Sequence, residues 1–165
     1  MLLTADLDIS NGEQNNGVTV PGAASRNQYI KNVFGQEGWH TGNKYTYDPK
    51  VDYRAAFDGD RSTFYDGPKS GYCGVEFNSP QLITKIGYKT TSRTQRLNGA
   101  VLQGSDDGEI YTDIMTISDA GTEMKYAETG ADKAYRFIRL IRKDSEVLNI
   151  HELELYTTID FSIAA

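Results

Sequence analysis

Asp58, Asp60 and Thr63 stand close together around Gly59, in the run Asp58-Gly59-Asp60-Arg61-Ser62-Thr63. Carboxylate, hydroxyl and carbonyl oxygens are the hard donors that calcium gathers, about six to eight at a time. A glycine lets such a loop bend sharply enough to wrap a cation. The same residues also fit an Asx turn that needs no metal, in which an Asp side chain accepts from backbone two residues on. A second group is aromatic: Trp39 and His40, with Tyr45 and Tyr47 close by. Such rings stack on the apolar C–H face of a sugar. The competing reading is that Trp39 plugs the end of a β-structure, the commoner fate of so large a ring. Tyr72, beside Cys73, is open to both packing and ligand contact.

No catalytic constellation stands beside these groups. The two histidines, His40 and His151, have no metalloprotease spacing. The chain has neither a nucleophile elbow nor a phosphate-binding loop. Cys73 has no histidine near it in sequence. Hydrolysis of a glycoside needs two carboxylates across a cleft, but with 23 Asp and Glu any pair is nameable and none is singled out. Asp106 and Asp107 belong to the turn Ser105-Asp106-Asp107-Gly108. The chain therefore reads as a binding module, not an enzyme.

Composition narrows the partners. A net charge of -6 argues against nucleic acid, which needs a basic face, and against a polybasic membrane anchor. No apolar run approaches the length of a transmembrane helix. The start, Met1 to Asp6, has neither the basic nor the apolar region of a signal peptide, so an exported protein would carry this chain as an internal module. One cysteine allows no internal disulfide. Neutral sugars and bound cations remain compatible with the charge.

The elements that would position these groups are strands. Gly74–Phe77, Leu82–Tyr88, Ala100–Gln103, Ile110–Ile117 and Ile150–Tyr156 are short β-type runs separated by turn residues. Tyr135–Ile141, apolar on both faces apart from two Arg, predicts a central strand. Tyr29, Ile30, Val33 and Phe34 repeat at i,i+4 and predict a short helix within residues 25–34, followed by a long loop from Gly35 to Tyr53. With 165 residues, one all-β sandwich is expected over residues 1–156, with 157–165 as a last strand fragment or linker.

Four segments, in order, resemble the discoidin (coagulation factor 5/8 type C) family. They are Ala55–Asp66; Val75-Glu76-Phe77 with Pro80 and Ile83–Ile86; Arg96–Gly108; and Tyr135–Arg139 followed by Asn149–Tyr156. The resemblance implies a jelly-roll-like β-sandwich of about eight main antiparallel strands, similar to bacterial family 32 carbohydrate-binding modules of secreted glycoside hydrolases. It further implies a structural calcium. The side chain of Asp58, the hydroxyl and carbonyl of Thr63 and the carbonyls of Ala55 and Asp60 would hold it, closed by the Glu152 carboxylate and the His151 carbonyl. For the ligand, it implies an Arg and an Asn about five positions apart, matched by Arg93 and Asn98, with Arg96 as competitor. The place where galactose-binding members carry His holds Asp66, after Tyr65. Ends of plant β-glycans, mannans or pectic side chains are therefore as well matched as terminal galactose. The implied setting is extracellular, monomeric and tethered to a catalytic domain. The alternative is a protein- or cell-surface-adhesion domain, or a spacer.

Overall fold

The computed structural model describes residues 3–10, 28–36 and 52–160. Trp39, His40, Tyr45 and Tyr47 lie outside the described residues, so neither reading of them is decided. The described chain is built of eleven strands: β1 (Thr4–Asp8), β2 (Ile30–Gly35), β3 (Tyr65–Lys69), β4 (Tyr72–Gln81), β5 (Lys85–Lys89), β6 (Val101–Ser105), β7 (Thr112–Thr116), β8 (Lys125–Glu128), β9 (Tyr135–Ile141), β10 (Val147–Ile150) and β11 (Glu152–Asp160). Its helical content is two short 3-10 turns, Tyr53–Phe57 and Thr94–Arg96.

Two sheets face each other across one core. One has the order β1-β11-β5-β8, the other β2-β4-β9-β6-β7, and a small third sheet pairs β10 with β3. Every pairing is antiparallel. Alternation along the strands turns Cys73, Val75 and Phe77 of β4, Ile138 and Leu140 of β9, Ile86 and Tyr88 of β5, and Leu153 and Leu155 of β11 into the shared core. Each such side chain contributes roughly 1.5–3 kcal/mol by leaving water. β9 is central, as its sequence predicts, paired with β4 on one side and β6 on the other.

The helix expected within residues 25–34 is, over its described part, a turn at Gln28 and Tyr29 followed by strand β2. β2 lines up antiparallel to β4, with Val33 opposite Val75 and Phe34 opposite Gly74. Its i,i+4 spacing is real, but β-branched Ile30 and Val33 suit a pleated strand and β4 offers a free ladder. β11 continues through Asp160 with no break at Tyr156, because Thr157 to Asp160 pair with Leu7 to Thr4 of β1. The strands additional to the expected eight or so are mostly short and polar ones, such as β8, whose burial pattern is almost wholly exposed.

Candidate functional site

The acidic loop follows the first 3-10 turn. That turn begins where the buried Asp52 side chain accepts from the Arg54 amide at 2.7 Å, and it buries Ala55, Ala56 and Phe57. Gly59 then takes a φ of 76°, a left-handed value open to glycine. Asp58 Oδ1 accepts from the Asp60 amide at 2.9 Å, and Asp60 Oδ1 accepts from the Ser62 amide at 2.9 Å. These are the two Asx turns the sequence allows. Thr63 Oγ1 lies 2.6 Å from Asp58 Oδ2 and 2.9 Å from the Asp60 carbonyl. Three oxygens thus meet with a single hydroxyl proton among them.

Glu152, at the start of β11, faces the same loop. It is 3% exposed, and its Oε1 is buried without a hydrogen-bond partner in the structure. Burial, and then the charges of Asp58, Glu154 and Asp8, push its carboxyl up to about 9. Burial also raises Asp58. Asp60, in contrast, is lowered, chiefly by the Ser62 hydroxyl. His151 presents its ring to Phe64, stacked at 5.2 Å, and its Nδ1 sits 3.0 Å from the Arg61 carbonyl. Among the described residues no three His, Cys, Asp or Glu side chains form a metal cage by themselves. A cation here would depend on the carbonyl and hydroxyl oxygens as well. The crowded oxygens and the unpartnered buried Oε1 fit such an ion, since both are relieved by positive charge.

The second candidate lies where the β5–β6 loop meets β10. Its 3-10 turn packs on β10, which in turn pairs with β3. Leu97 is fully buried and anchors the loop, while the Asn98 amide closes on the Thr94 carbonyl at 2.8 Å. Arg93 is exposed at the start of that turn. Neither its guanidinium nor that of the half-buried Arg96 has a hydrogen bond or ion pair among the described residues. Asn98 Oδ1 accepts from the Ala120 amide at 2.8 Å, which fixes the side chain and leaves Nδ2 as a donor. Across β10, Asp66 Oδ1 accepts from Asn149 Nδ2 at 3.3 Å, and Asn149 in turn accepts from Thr90 Oγ1 at 3.1 Å through its carbonyl. Asp66 and the Arg93 loop therefore flank the same strand.

Two sequence candidates stand apart from this group. Tyr65 is fully buried, and its hydroxyl donates to the Gln36 carbonyl at 2.7 Å. It belongs to the core and cannot stack on a ligand: one strand position before Asp66, it points to the opposite face. Tyr72 sits on the outer face of the five-stranded sheet, its ring 6.3 Å from that of Phe34 and 5.5 Å from the Arg139 guanidinium. Sequence reasoning passed over Arg142, Thr90 and Asn149, which hold the loop site together. The polar Asn149 between apolar Leu148 and Ile150 was the available signal, since buried polar groups need partners; Thr90, in the polar run Lys89–Arg93, carried none.

No family model matches the sequence, and no curated protein matches it. Solved structures do. The chain is similar to CBM62 from Xyl5A of Clostridium thermocellum, at 25% identity and a TM-score of 0.65, covering 76% of this chain and 93% of that one. It is also similar to an F5/8 type C domain from Bacteroides fragilis, at 16% identity and a TM-score of 0.60, covering 76% and 90%. A third is a CBM32 module from Clostridium perfringens in complex with GalNAc-β-1,3-galactose, at 16% identity and a TM-score of 0.56, covering 75% and 93%. The discoidin-type β-sandwich implied by the four sequence segments is the fold observed.

Proposed function

We propose that this chain is a non-catalytic carbohydrate-binding module, with its sugar site formed by Arg93, Asp66 and the side-chain Nδ2 of Asn98 around β10. The observation that carries this reading is the exposed Arg93, whose guanidinium has no partner among the described residues, on a loop that Leu97 and the Asn98 backbone pin in place. A planar guanidinium donates in a fixed fork to ring hydroxyls, and a carboxylate such as Asp66 accepts from them. The likeness to carbohydrate-binding modules supports the ligand class. Few groups line the site, so affinity should be modest.

A structural calcium belongs to the same reading. Asp58, Glu152, the Thr63 hydroxyl and carbonyl, and the carbonyls of Ala55, Asp60 and His151 would hold it. The ion would supply positive charge between Asp58 and Glu152 and would tie the acidic loop to β11, whose Glu154 is already paired with Arg61 at 3.0 Å. Its role is structural.

The setting that fits is extracellular, with the module a monomer tethered to a polysaccharide-degrading domain that it holds near substrate. The test is a titration of the calcium-loaded protein against galactosides, mannans, xyloglucan, pectic side chains and chitosan oligomers. Saturable binding to one class supports the reading. A folded protein that binds none of them refutes it.

A further inference from the structure

We propose that the outer face of the five-stranded sheet is a second glycan-binding surface, taking an acidic polysaccharide whose uronate carboxylates pair with Arg139. This goes beyond the Arg93 reading, because the residues are different and lie on a different part of the fold.

The register fixes what this face presents. Phe34 of β2, Gly74 of β4, Arg139 of β9, Gln103 of β6 and Asp113 of β7 fall in one row across the sheet. Four strand spacings make that row about 19 Å long, room for an oligosaccharide rather than a single ring. Gly74 forms the floor between two rings and a guanidinium. A Cβ there would lie 2.4 Å from the Ile138 carbonyl, 2.7 Å from Phe34 and 2.8 Å from the Arg139 side chain. No side chain fits above Gly74, so the Phe34 ring and the Arg139 side chain close directly over its backbone, and Phe34 lies 6.3 Å from each of the rings of Tyr72 and Phe137.

Arg139 stands out among the cations of this face. Lys31 and Arg136 share the Glu76 carboxylate, and Lys143 pairs with Asp113 at 2.8 Å. Arg139 instead gives its Nε to neutral Gln103 Oε1 at 2.8 Å, and Gln103 passes its own amide to Asp113 at 2.7 Å. Its guanidinium lies 3.6 Å from the centre of the Tyr111 ring and 5.5 Å from that of Tyr72. Among the described residues its two η nitrogens have no partner. Burial lowers its proton affinity, which is what a charge without a counter-ion shows. Held rigid between two rings, this fork is complementary to one planar carboxylate.

The surroundings select a sugar acid rather than a protein partner. A protein dock needs a contiguous apolar patch. Here the rings are only partly exposed, and the Arg139 guanidinium stands between those of Tyr72 and Tyr111. Ring faces beside amide and hydroxyl groups suit a pyranose, and the unpaired cation asks for its carboxylate.

The probe is a galacturonate oligosaccharide titrated into the calcium-loaded protein without excess calcium, beside a neutral galactose oligosaccharide of the same length. Saturable binding of the acidic oligomer is expected, with affinity at least tenfold lower in Arg139→Ala, intermediate in Arg139→Lys and unchanged in Lys125→Ala, on the exposed β8 of the other sheet. Ring-proton shifts at Tyr72 and Tyr111 in the unmutated protein locate the site without relying on any variant. Equal binding of the neutral oligomer, loss in Arg93→Ala but not Arg139→Ala, shifts confined to the β5–β6 loop, or no binding would each overturn the proposal. The second and third would put the acidic oligomer at the Arg93 loop, and the last leaves the Arg93 site to be judged on neutral glycans.

Discussion

Arg142 and Asp144 form a two-pronged ion pair, Nε to Oδ1 at 3.0 Å and Nη2 to Oδ2 at 2.7 Å, with the guanidinium buried and the carboxylate mostly exposed. The remaining nitrogen of Arg142 donates to the Asn98 carbonyl and, at 3.4 Å, to that of Gln95. One side chain thus clamps the Arg93 loop to the β9–β10 loop, and Ser70 Oγ adds a bond to the Asp144 carbonyl at 2.6 Å. Arg142→Ala should cost roughly 2–3 kcal/mol, since buried carbonyls lose their donor. Arg142→Lys should recover only part, because an ammonium cannot make both the fork and the carbonyl bonds. Denaturant midpoints check the stability. Glycan affinity in both variants checks whether the loop's placement matters for binding.

Calcium should raise the melting temperature and a chelator should lower it again. Glu152→Gln and Asp58→Asn should each abolish most of that response, whereas the exposed Asp106→Asn should leave it intact. Calorimetric scans with calcium and with chelator decide this. A melting temperature indifferent to calcium would leave the acidic loop as a pair of Asx turns.

The chelated protein should also lose stability as pH rises. The Glu152 carboxyl is pushed from 4.5 up to about 9, chiefly by burial and then by Asp58, Glu154 and Asp8. The folded chain therefore keeps a proton that the unfolded chain releases. Stability is fully present below about 4.5 and is lost progressively toward 9. Asp8, raised by burial from 3.8 to about 6, acts in the same direction over the lower part of that range. Melting temperature measured against pH in chelator should fall across this window and flatten in Glu152→Gln. A rise with pH in both proteins would contradict the assignment.

Cys73 is fully buried in β4 and its thiol is pushed up strongly by burial. Thiol reagents should modify it only when the chain unfolds. Reaction at the folded protein's rate of an exposed thiol would mean that the β4 core opens.

Much of the fold was legible in the sequence. β4, β5, β6, β9 and β11 announced themselves because one face of each is apolar and the turns between them carry Gly, Pro or Asp. β2 did not, because Ile30 and Phe34 lie at helical spacing and only the partner strand β4 decides between the two periods. β8 and β1 are mostly exposed, so their sequences carry no alternation to read. In the candidate sites, spacing along the chain brought out Asp58, Asp60 and Thr63, which are neighbours in sequence. Tyr65 was misplaced because a tyrosine beside a polar Asp66 looks the same whether it faces core or solvent. The Arg142 clamp and the Thr90–Asn149–Asp66 chain join residues far apart in sequence, and no local pattern reports such contacts.

The most direct measurement of the central claim is calorimetric titration of calcium-loaded protein with its best neutral glycan from a binding screen, repeated with Arg93→Ala and Arg139→Ala. Saturable binding that Arg93→Ala abolishes and Arg139→Ala leaves unchanged is the expected result. Binding that survives in Arg93→Ala, or no binding of any glycan by a folded sample, would contradict a sugar site at the Arg93 loop.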